Sequence, residues 1–141
     1  RALNDSMGPY LARQTVKKLI ANGKTIVQSR VLVMGATFKE DVSDIRNSKV
    51  ASVVDELKSF GVDVEVHDPH ASNEEINHEY GFELISEISG KYDAVIVAVN
   101  HSDYLSLNED YFHNLLKENG VLVDVKGIYR DKNESINYLS L

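Results

Sequence analysis

Short apolar runs alternate with helical patterns along the chain. Four runs predict β-strands, at residues 31–34, 62–67, 93–99 and 121–125. The runs 31–34 and 93–99 do not alternate with polar residues, which is typical of strands covered on both faces. The run 62–67 alternates, as expected of a further strand. Four strands separated by helices favour a parallel, doubly wound α/β sheet.

Apolar residues at helical spacing predict the helices between these strands. The predicted helices cover residues 3–22, 50–60, 72–80 and 108–117. Asn47 or Ser48 is the expected N-cap of the helix 50–60. Asn119-Gly120 is the expected end of the helix 108–117. The helix 3–22 precedes the first strand and is therefore an addition to a simple strand–helix unit. Two roles stay open for it: an interdomain or subunit contact, or packing on the sheet.

Two stretches have weaker patterns. Residues 84–89 fit either a short strand or a helical turn. The tail after Asp131 is polar and is predicted to be loose, although Ile136, Tyr138 and Leu139 are apolar enough to dock.

The connection between the first strand and its helix is long and polar. It has about 12 residues, whereas most such loops have about 2–6. Lys39 and Arg46 stand in it, beside the start of a helix and at the carboxyl edge of the predicted sheet, where α/β proteins bind ligands. We expect these two cations to bind a phosphate-bearing ligand together, with the Phe38 ring packed against that ligand. The alternative is a solvated loop whose cations pair with Asp41 and Asp44.

Two later residues belong to the same edge of the sheet. Lys126 closes the last predicted strand, and Gly127 behind it allows a phosphate or carboxylate to approach the backbone. Lys126 fits an ordinary surface lysine equally well. His101 follows the third strand and is either a site residue or a group that caps the strand end.

Asp68 ends the second strand and is flanked by two histidines. Its position matches that of an acid that binds ribose, but an Asp before Pro69 is more typical of a turn. His67 and His70 raise the idea of a metal site. No third strong ligand stands nearby, so no metal is predicted.

Composition narrows the function further. The chain has 141 residues, enough for one domain, and a net charge of −7. That charge argues against nucleic-acid binding. With no apolar run of about 20 residues and no signal peptide, we expect a cytoplasmic protein without a membrane span. There is no cysteine, so no thiol nucleophile is available. Because the first residue is Arg1, we expect a fragment of a longer protein.

The first strand–helix turn, Gly35-Ala36-Thr37-Phe38, lacks the G-x-G-x-x-G fingerprint of dinucleotide sites. Residues 31–48, read with His67-Asp68-Pro69 and the later segments, instead resemble the C-terminal domain of the UDP-glucose/GDP-mannose dehydrogenase family. The similar later segments are 98–101 (Ala-Val-Asn-His) and 124–129 (Asp-Val-Lys-Gly-Ile-Tyr). Residues 1–12 resemble the long central helix of that family. The segments 4–8 (Asn-Asp-Ser-Met-Gly) and 124–129 are most similar to the bacterial UDP-N-acetylhexosamine branch.

The resemblance implies a Rossmann-like doubly wound parallel sheet with helices on both faces, preceded by an N-terminal helix. Residues 1–28 would belong to the central helix that forms a homodimer, and residues 29–141 to the UDP-sugar-binding domain. The family oxidises the C6 hydroxyl of a nucleotide sugar to a carboxylate in two NAD-dependent steps through a thiohemiacetal on a cysteine. Surface polysaccharide or capsule precursors are the implied products. This chain lacks that cysteine and the NAD-binding domain, so alone it should be inactive.

The resemblance also implies roles for individual residues. The implied contacts to the UDP-sugar are Phe38, Lys39, Lys126, Arg1 and Asn4. Arg46 would reach NAD, which the family binds mainly through its separate N-terminal domain. No catalytic residue and no metal ligand are implied in this chain.

Two other functions remain open at this point. One is a receiver-like signalling module, although Met34-Gly35-Ala36 stands where such a module needs clustered acids. The other is an assembly domain that dimerises through the N-terminal helix, which is compatible with ligand binding.

Overall fold

The computed structural model describes residues 7–129 and 137–140. The helices of this part are α1 (Met7–Ala21), α2 (Val50–Ser59), α3 (Asn73–Tyr80), α4 (Ser102–Leu105) and α5 (Glu109–Leu115). The strands are β1 (Arg30–Met34), β2 (Asp63–His67), β3 (Tyr92–Val97), β4 (Leu116–Asp124) and β5 (Asn137–Ser140). No helix of this part is both long and apolar enough to cross a membrane.

All five strands of the described sheet pair in parallel, in the order β2-β1-β3-β4-β5. Val31 lies opposite Val64 of β2 on one side and Ala94 of β3 on the other. The predicted doubly wound parallel sheet is confirmed. The chain leaves β1 toward β2 and later returns to β3 on the other side of β1. The strand order therefore reverses between β1 and β3, which is where such sheets form a ligand crevice.

Successive residues of β1 pack alternately into two hydrophobic cores, one on each face of the sheet. Val31 and Val33 pack on one face of the sheet with α1 and α2, whereas Leu32 and Met34 pack on the other face with α4 and α5. These four side chains are at most 1% exposed. Burial on both faces is what the unalternated apolar run predicted, and helices cover both faces as expected.

Helix α1 is part of the core that contains Val31 and Val33. Leu11, Ala12 and Leu19 are 0% exposed, and the helix packs mainly against α2. On its other side Tyr10 and Ile20 are 48% and 58% exposed. The packing alternative is therefore confirmed, while a dimer contact through α1 stays a prediction.

Residues 137–140 form β5 along β4, so the expectation of a loose tail is wrong for them, and docking of Tyr138 and Leu139 is confirmed. Tyr138 packs against the second core, and its hydroxyl donates to Asp124 Oδ2 at 2.6 Å. Two apolar side chains are too weak a pattern to predict a strand. The open edge of β4 decides the pairing.

Several element ends also differ from the prediction. Helix α5 ends at Leu115, and Asn119-Gly120 lies inside β4, where Asn119 has a φ of 63°. Residue Lys49 is the N-cap of α2, and Ser48 Oγ accepts from the Val50 N–H at 3.3 Å. In the stretch 84–89, Leu84 forms one isolated bridge to Val66 of β2.

Candidate functional site

The ends of β1 and β3 approach each other closely because Gly35 lacks a side chain. A Cβ at Gly35 would lie 2.6 Å from the Cβ of Val99, and its φ of 104° lies in the region that favours glycine. The Gly35 N–H donates to His67 O at 2.8 Å, so the end of β2 joins the same point. The β1–α2 connection and the residues after β3 therefore start side by side.

Asp68 fastens the first strand–helix turn to the end of β2. Its Oδ2 accepts from the N–H groups of Ala36 at 2.6 Å and Thr37 at 3.2 Å, and its Oδ1 accepts from the His70 N–H at 2.7 Å. Burial opposes ionisation, but the hydrogen bonds from His101 and the backbone outweigh it and lower the pKa of Asp68. With its oxygens occupied by these donors, Asp68 is the turn residue rather than the ribose ligand.

His101 is 0% exposed and connects three segments of the site. Its Nδ1 accepts from the Asp41 N–H at 2.9 Å. The proton of the neutral ring therefore sits on Nε2, which lies 3.0 Å from Asp68 Oδ2 and 3.3 Å from Thr37 Oγ1. Both ring nitrogens are occupied, so His101 supports the loop from beneath instead of facing a ligand.

The tip of the loop is attached to the start of α4. Asp41 Oδ1 accepts from both the N–H and the Oγ–H of Ser102, each at 2.8 Å, and these bonds lower the pKa of Asp41. Beside it, His70 Nε2 lies 2.6 Å from Asp103 Oδ1. Thus the segment that includes Phe38 is held in one conformation before any ligand arrives, which reduces the entropy cost of binding.

One cluster in the described part has the composition of a metal site. Asp41, His70 and His101 each offer a ligand atom, and these atoms lie within 4.8 Å of one another. A metal would have to displace a hydrogen bond of the His101 ring and compete with Asp103 for His70 Nε2, so we assign none. His67 is separate from this group, and burial lowers its pKa.

Beyond the carboxyl ends of β1, β3 and β4 lies a cavity of about 280 Å³. Its polar side chains come from four segments: Thr37, Lys39, Glu40, Asn47, Lys49, Asn100 and Lys126. Phe38, Val50, Ala98 and Val99 provide the apolar wall. Three of the predicted substrate contacts, Phe38, Lys39 and Lys126, therefore line one cavity. Three lysines against one glutamate make it locally basic on a chain of net charge −7.

Lys126, the third lysine of the cavity, stands on a turn that hydrogen bonds hold in place. Asp124, 0% exposed, accepts from the Tyr129 N–H at 2.8 Å and from the Tyr138 hydroxyl, and so fixes the turn that follows β4. Partial burial lowers the pKa of Lys126, while Glu40 acts in the opposite direction. A partly desolvated ammonium group favours an anionic partner, because such a partner compensates for the lost hydration.

Arg46 does not line this cavity. The expectation that Lys39 and Arg46 bind one diphosphate together is therefore wrong. The Arg46 side chain is 84% exposed and borders a separate cleft with Glu75 and Glu79. Its Nε and Nη2 donate to the two carboxylate oxygens of Asp44, each at 3.0 Å, and this pairing lowers the pKa of Asp44 to about 2. The neighbouring Ile45 is buried in the core, whereas the Arg46 side chain points to solvent.

Lys49, Asn47 and Asn100 are among the cavity residues that the sequence reasoning missed. Lys49 and Asn47 stand at the start of α2, and Asn100 stands after β3. Asn47 has a φ of 59°, a conformation that asparagine tolerates well. Position at the carboxyl edge was the available signal, but it does not tell which side chains face the crevice. Arg1 and Asn4, the other predicted contacts, lie outside the described residues.

A doubly wound parallel sheet with a basic cavity at the switch point defines a Rossmann-like ligand-binding domain. The sequence profile of the UDP-glucose/GDP-mannose dehydrogenase family, UDP binding domain, matches residues 32–131. The chain belongs to this family. The resemblance stated from the motifs is thereby confirmed, and it replaces the receiver-like alternative.

Two curated relatives have 40% identity to the chain. One is UDP-N-acetyl-D-glucosamine 6-dehydrogenase of Salmonella typhi, aligned over 127 residues, which are 89% of this chain and 30% of that protein. The other is Protein CapL of Staphylococcus aureus, aligned over 129 residues, or 91% and 30%. The chain thus spans about 30% of the length of these relatives.

Solved structures agree with the fold. NDP-N-acetyl-D-galactosaminuronic acid dehydrogenase from Methanosarcina mazei Go1 superposes with a TM-score of 0.84 at 28% identity, over 98% of this chain and 29% of that one. The UDP-N-acetyl-mannosamine dehydrogenase Cap5O from Staphylococcus aureus gives 0.75 at 25% identity, over 97% and 31%. The likeness therefore includes α1 as well as the sheet.

Proposed function

We propose that this chain is the nucleotide-sugar-binding part of a cytoplasmic, NAD-dependent UDP-N-acetylhexosamine 6-dehydrogenase that makes surface polysaccharide precursors. In this proposal the diphosphate of the UDP-sugar lies in the cavity defined above. The observation that carries it is the convergence of Lys39, Lys49 and Lys126, from three separate segments, on one cavity.

The geometry suits a diphosphate for two reasons. Lysine ammonium groups bind phosphate as point charges, and the start of α2, where Val50 lines the cavity, adds the positive end of a helix. A volume of about 280 Å³ is at the small end for a ligand site, so the cavity fits one portion of a nucleotide sugar. Phe38, 49% exposed at its rim, offers an apolar face to a neighbouring portion.

The test is isothermal titration calorimetry of the 141-residue chain with UDP. Lys39→Ala and Lys126→Ala should each weaken binding about tenfold, because each removes one charge-assisted contact. Lys58→Ala, an exposed lysine at the far end of α2, is the control of equal charge and should bind like the unchanged chain. Absence of UDP binding by the unchanged chain, or equal losses in Lys58→Ala, would refute the proposal.

Arg46 serves as a second comparison. We propose that it contacts NAD rather than the UDP-sugar, since it borders a different cleft and is largely exposed. Arg46→Ala should therefore leave the affinity for UDP unchanged in the same titration. In a complete dehydrogenase containing this chain it should raise the KM for NAD. The first turn of this chain does not fit a dinucleotide pyrophosphate, so NAD would be held mainly by another domain, and we assign no catalytic step to the residues described here.

The proposal includes a homodimer formed through α1. Its support is the exposure of Tyr10 and Ile20 on the side of the helix that faces away from α2. Packing of α1 against its copy in a second chain would remove these two side chains from water.

A further inference from the structure

The side-chain oxygen of Asn100 lacks a hydrogen-bond partner among the described residues. Its Oδ1 is buried, and no group in residues 7–129 or 137–140 donates a hydrogen bond to it. Buried carbonyl oxygens are nearly always paired in native proteins, so an unpaired one calls for an explanation. The explanation must account for both the missing donor and the place where the oxygen lies.

The place is the wall of the lysine cavity. Asn100 lines it together with Lys39 and Lys126. Its backbone is held from both sides, because Ala98 donates to Met34 O at 2.9 Å and the His101 ring is fixed at both nitrogens. The carboxamide is therefore attached to a rigid segment and cannot readily move to a distant partner.

None of the neighbouring groups that the structure describes donates to this oxygen. His101 gives its Nε2–H to Asp68 and uses Nδ1 as an acceptor. A phosphate in the cavity offers acceptor oxygens for the lysines and no donor for a carbonyl oxygen. The lysine ammonium groups of the cavity are donors too, but in the proposed complex the diphosphate engages them. The donor for Asn100 then comes from an N–H or O–H elsewhere on the ligand.

We propose that Asn100 is a specificity-determining residue, whose carboxamide oxygen accepts a hydrogen bond from an O–H or N–H group of the ligand beside the lysine-bound diphosphate. This inference rests on the proposed function. A UDP-sugar has such donors in its ribose hydroxyls, its uracil imide and its acetamido group. A site that pairs a buried polar group with a ligand donor discriminates strongly against analogues that lack the donor.

Asn100→Ala tests the inference by calorimetry of the 141-residue chain. The variant should bind the matching donor ligand, UDP or UDP-N-acetylglucosamine, about tenfold more weakly. Pyrophosphate, which probes the lysines alone, should bind both proteins equally. Asn77→Ala, an exposed asparagine on α3, is the matched control and should change neither affinity. Circular dichroism spectra and melting curves verify that each variant is folded.

Ligand analogues identify the donor and provide a measurement on the unchanged chain. The three comparisons are 2′-deoxy-UDP for the ribose hydroxyl, CDP for the uracil imide, and UDP against UDP-N-acetylglucosamine for the acetamido group. The analogue that lacks the recognised donor should bind the unchanged chain about tenfold more weakly and should be insensitive to Asn100→Ala. The comparison of ligands on the unchanged chain identifies the recognised donor without any variant, and a chain that distinguishes none of these analogues would overturn the inference.

The outcomes separate the two proposals. If UDP and pyrophosphate both fail to bind the unchanged chain, the proposed function falls and this inference with it. If UDP-sugar binding is normal and depends on Lys39 but not on Asn100, only the inference is overturned. Equal losses for pyrophosphate and every nucleotide in Asn100→Ala would also overturn it, since the residue would then shape the cavity without reading a donor.

Discussion

Replacing Asp68 with asparagine should destabilise the chain strongly although the shape of the side chain hardly changes. The carboxylate accepts from Ala36, Thr37 and His101 at Oδ2 and from His70 at Oδ1. An asparagine must place its NH₂ group at one of these two positions. The less costly choice faces the single donor of His70, so that partly buried N–H loses its partner and meets a second donor. The three remaining bonds lose the assistance of the negative charge.

The magnitude follows from these losses. An unsatisfied buried donor costs about 1–3 kcal/mol, and bonds to a charged group are stronger than neutral ones, so we expect Asp68→Asn to lower the free energy of unfolding by about 3 kcal/mol. Urea unfolding followed by circular dichroism measures it, with an unchanged m-value as the sign of a two-state comparison. Asp55→Asn, the same exchange at an exposed position of α2, should cost little. If Asp68→Asn lowers the free energy of unfolding by less than about 1 kcal/mol, Asp68 does not hold the first strand–helix turn in place.

The same carboxylate predicts a pH dependence. Because the pKa of folded Asp68 lies below its usual 3.8, its ionised form stabilises the native state at pH values above 3.8. That stabilisation is lost as the pH falls through the lower folded-state pKa. The difference in unfolding free energy between the unchanged chain and Asp68→Asn should therefore be constant at neutral pH and shrink in acid below that range. A difference that grows on acidification would contradict the direction of the shift.

Two further predictions concern α1 and the first turn. Gly35→Ala should lower the free energy of unfolding by about 3 kcal/mol, because the new Cβ would lie 2.6 Å from that of Val99 at a φ of 104°. Gly81→Ala, at a similar φ of 80° but in open space, should cost only about 1 kcal/mol in thermal unfolding, and equal losses would exclude the steric argument. In sedimentation equilibrium, Ile20→Glu should convert the proposed dimer to monomer, whereas Lys58→Gln, the same change in charge at an exposed position of α2, should not. A monomeric unchanged chain would exclude this dimer.

Parts of the site followed from sequence because they depend on position along a strand. Parallel strands end at one edge, so Phe38, Lys39 and Lys126 were expected together there, and the structure brings them to one cavity. The likeness of the surrounding motifs to one family pointed to the same region. The facing directions of side chains in the loop were beyond this reasoning. Arg46 is only seven residues from Lys39, yet it borders a different cleft and pairs with Asp44.

The sequence by itself determined the strands that are buried on both faces and the start of α3, where Ser72 Oγ accepts from the Glu75 N–H at 3.3 Å. Both depend on local periodicity or on hydrogen bonds between residues three apart, which are visible along the chain. Only the tertiary structure decided that residues 137–140 complete the sheet and that Asn100 faces the lysines. Those outcomes depend on which strand edge is open and on how distant segments are oriented, and no local pattern encodes either.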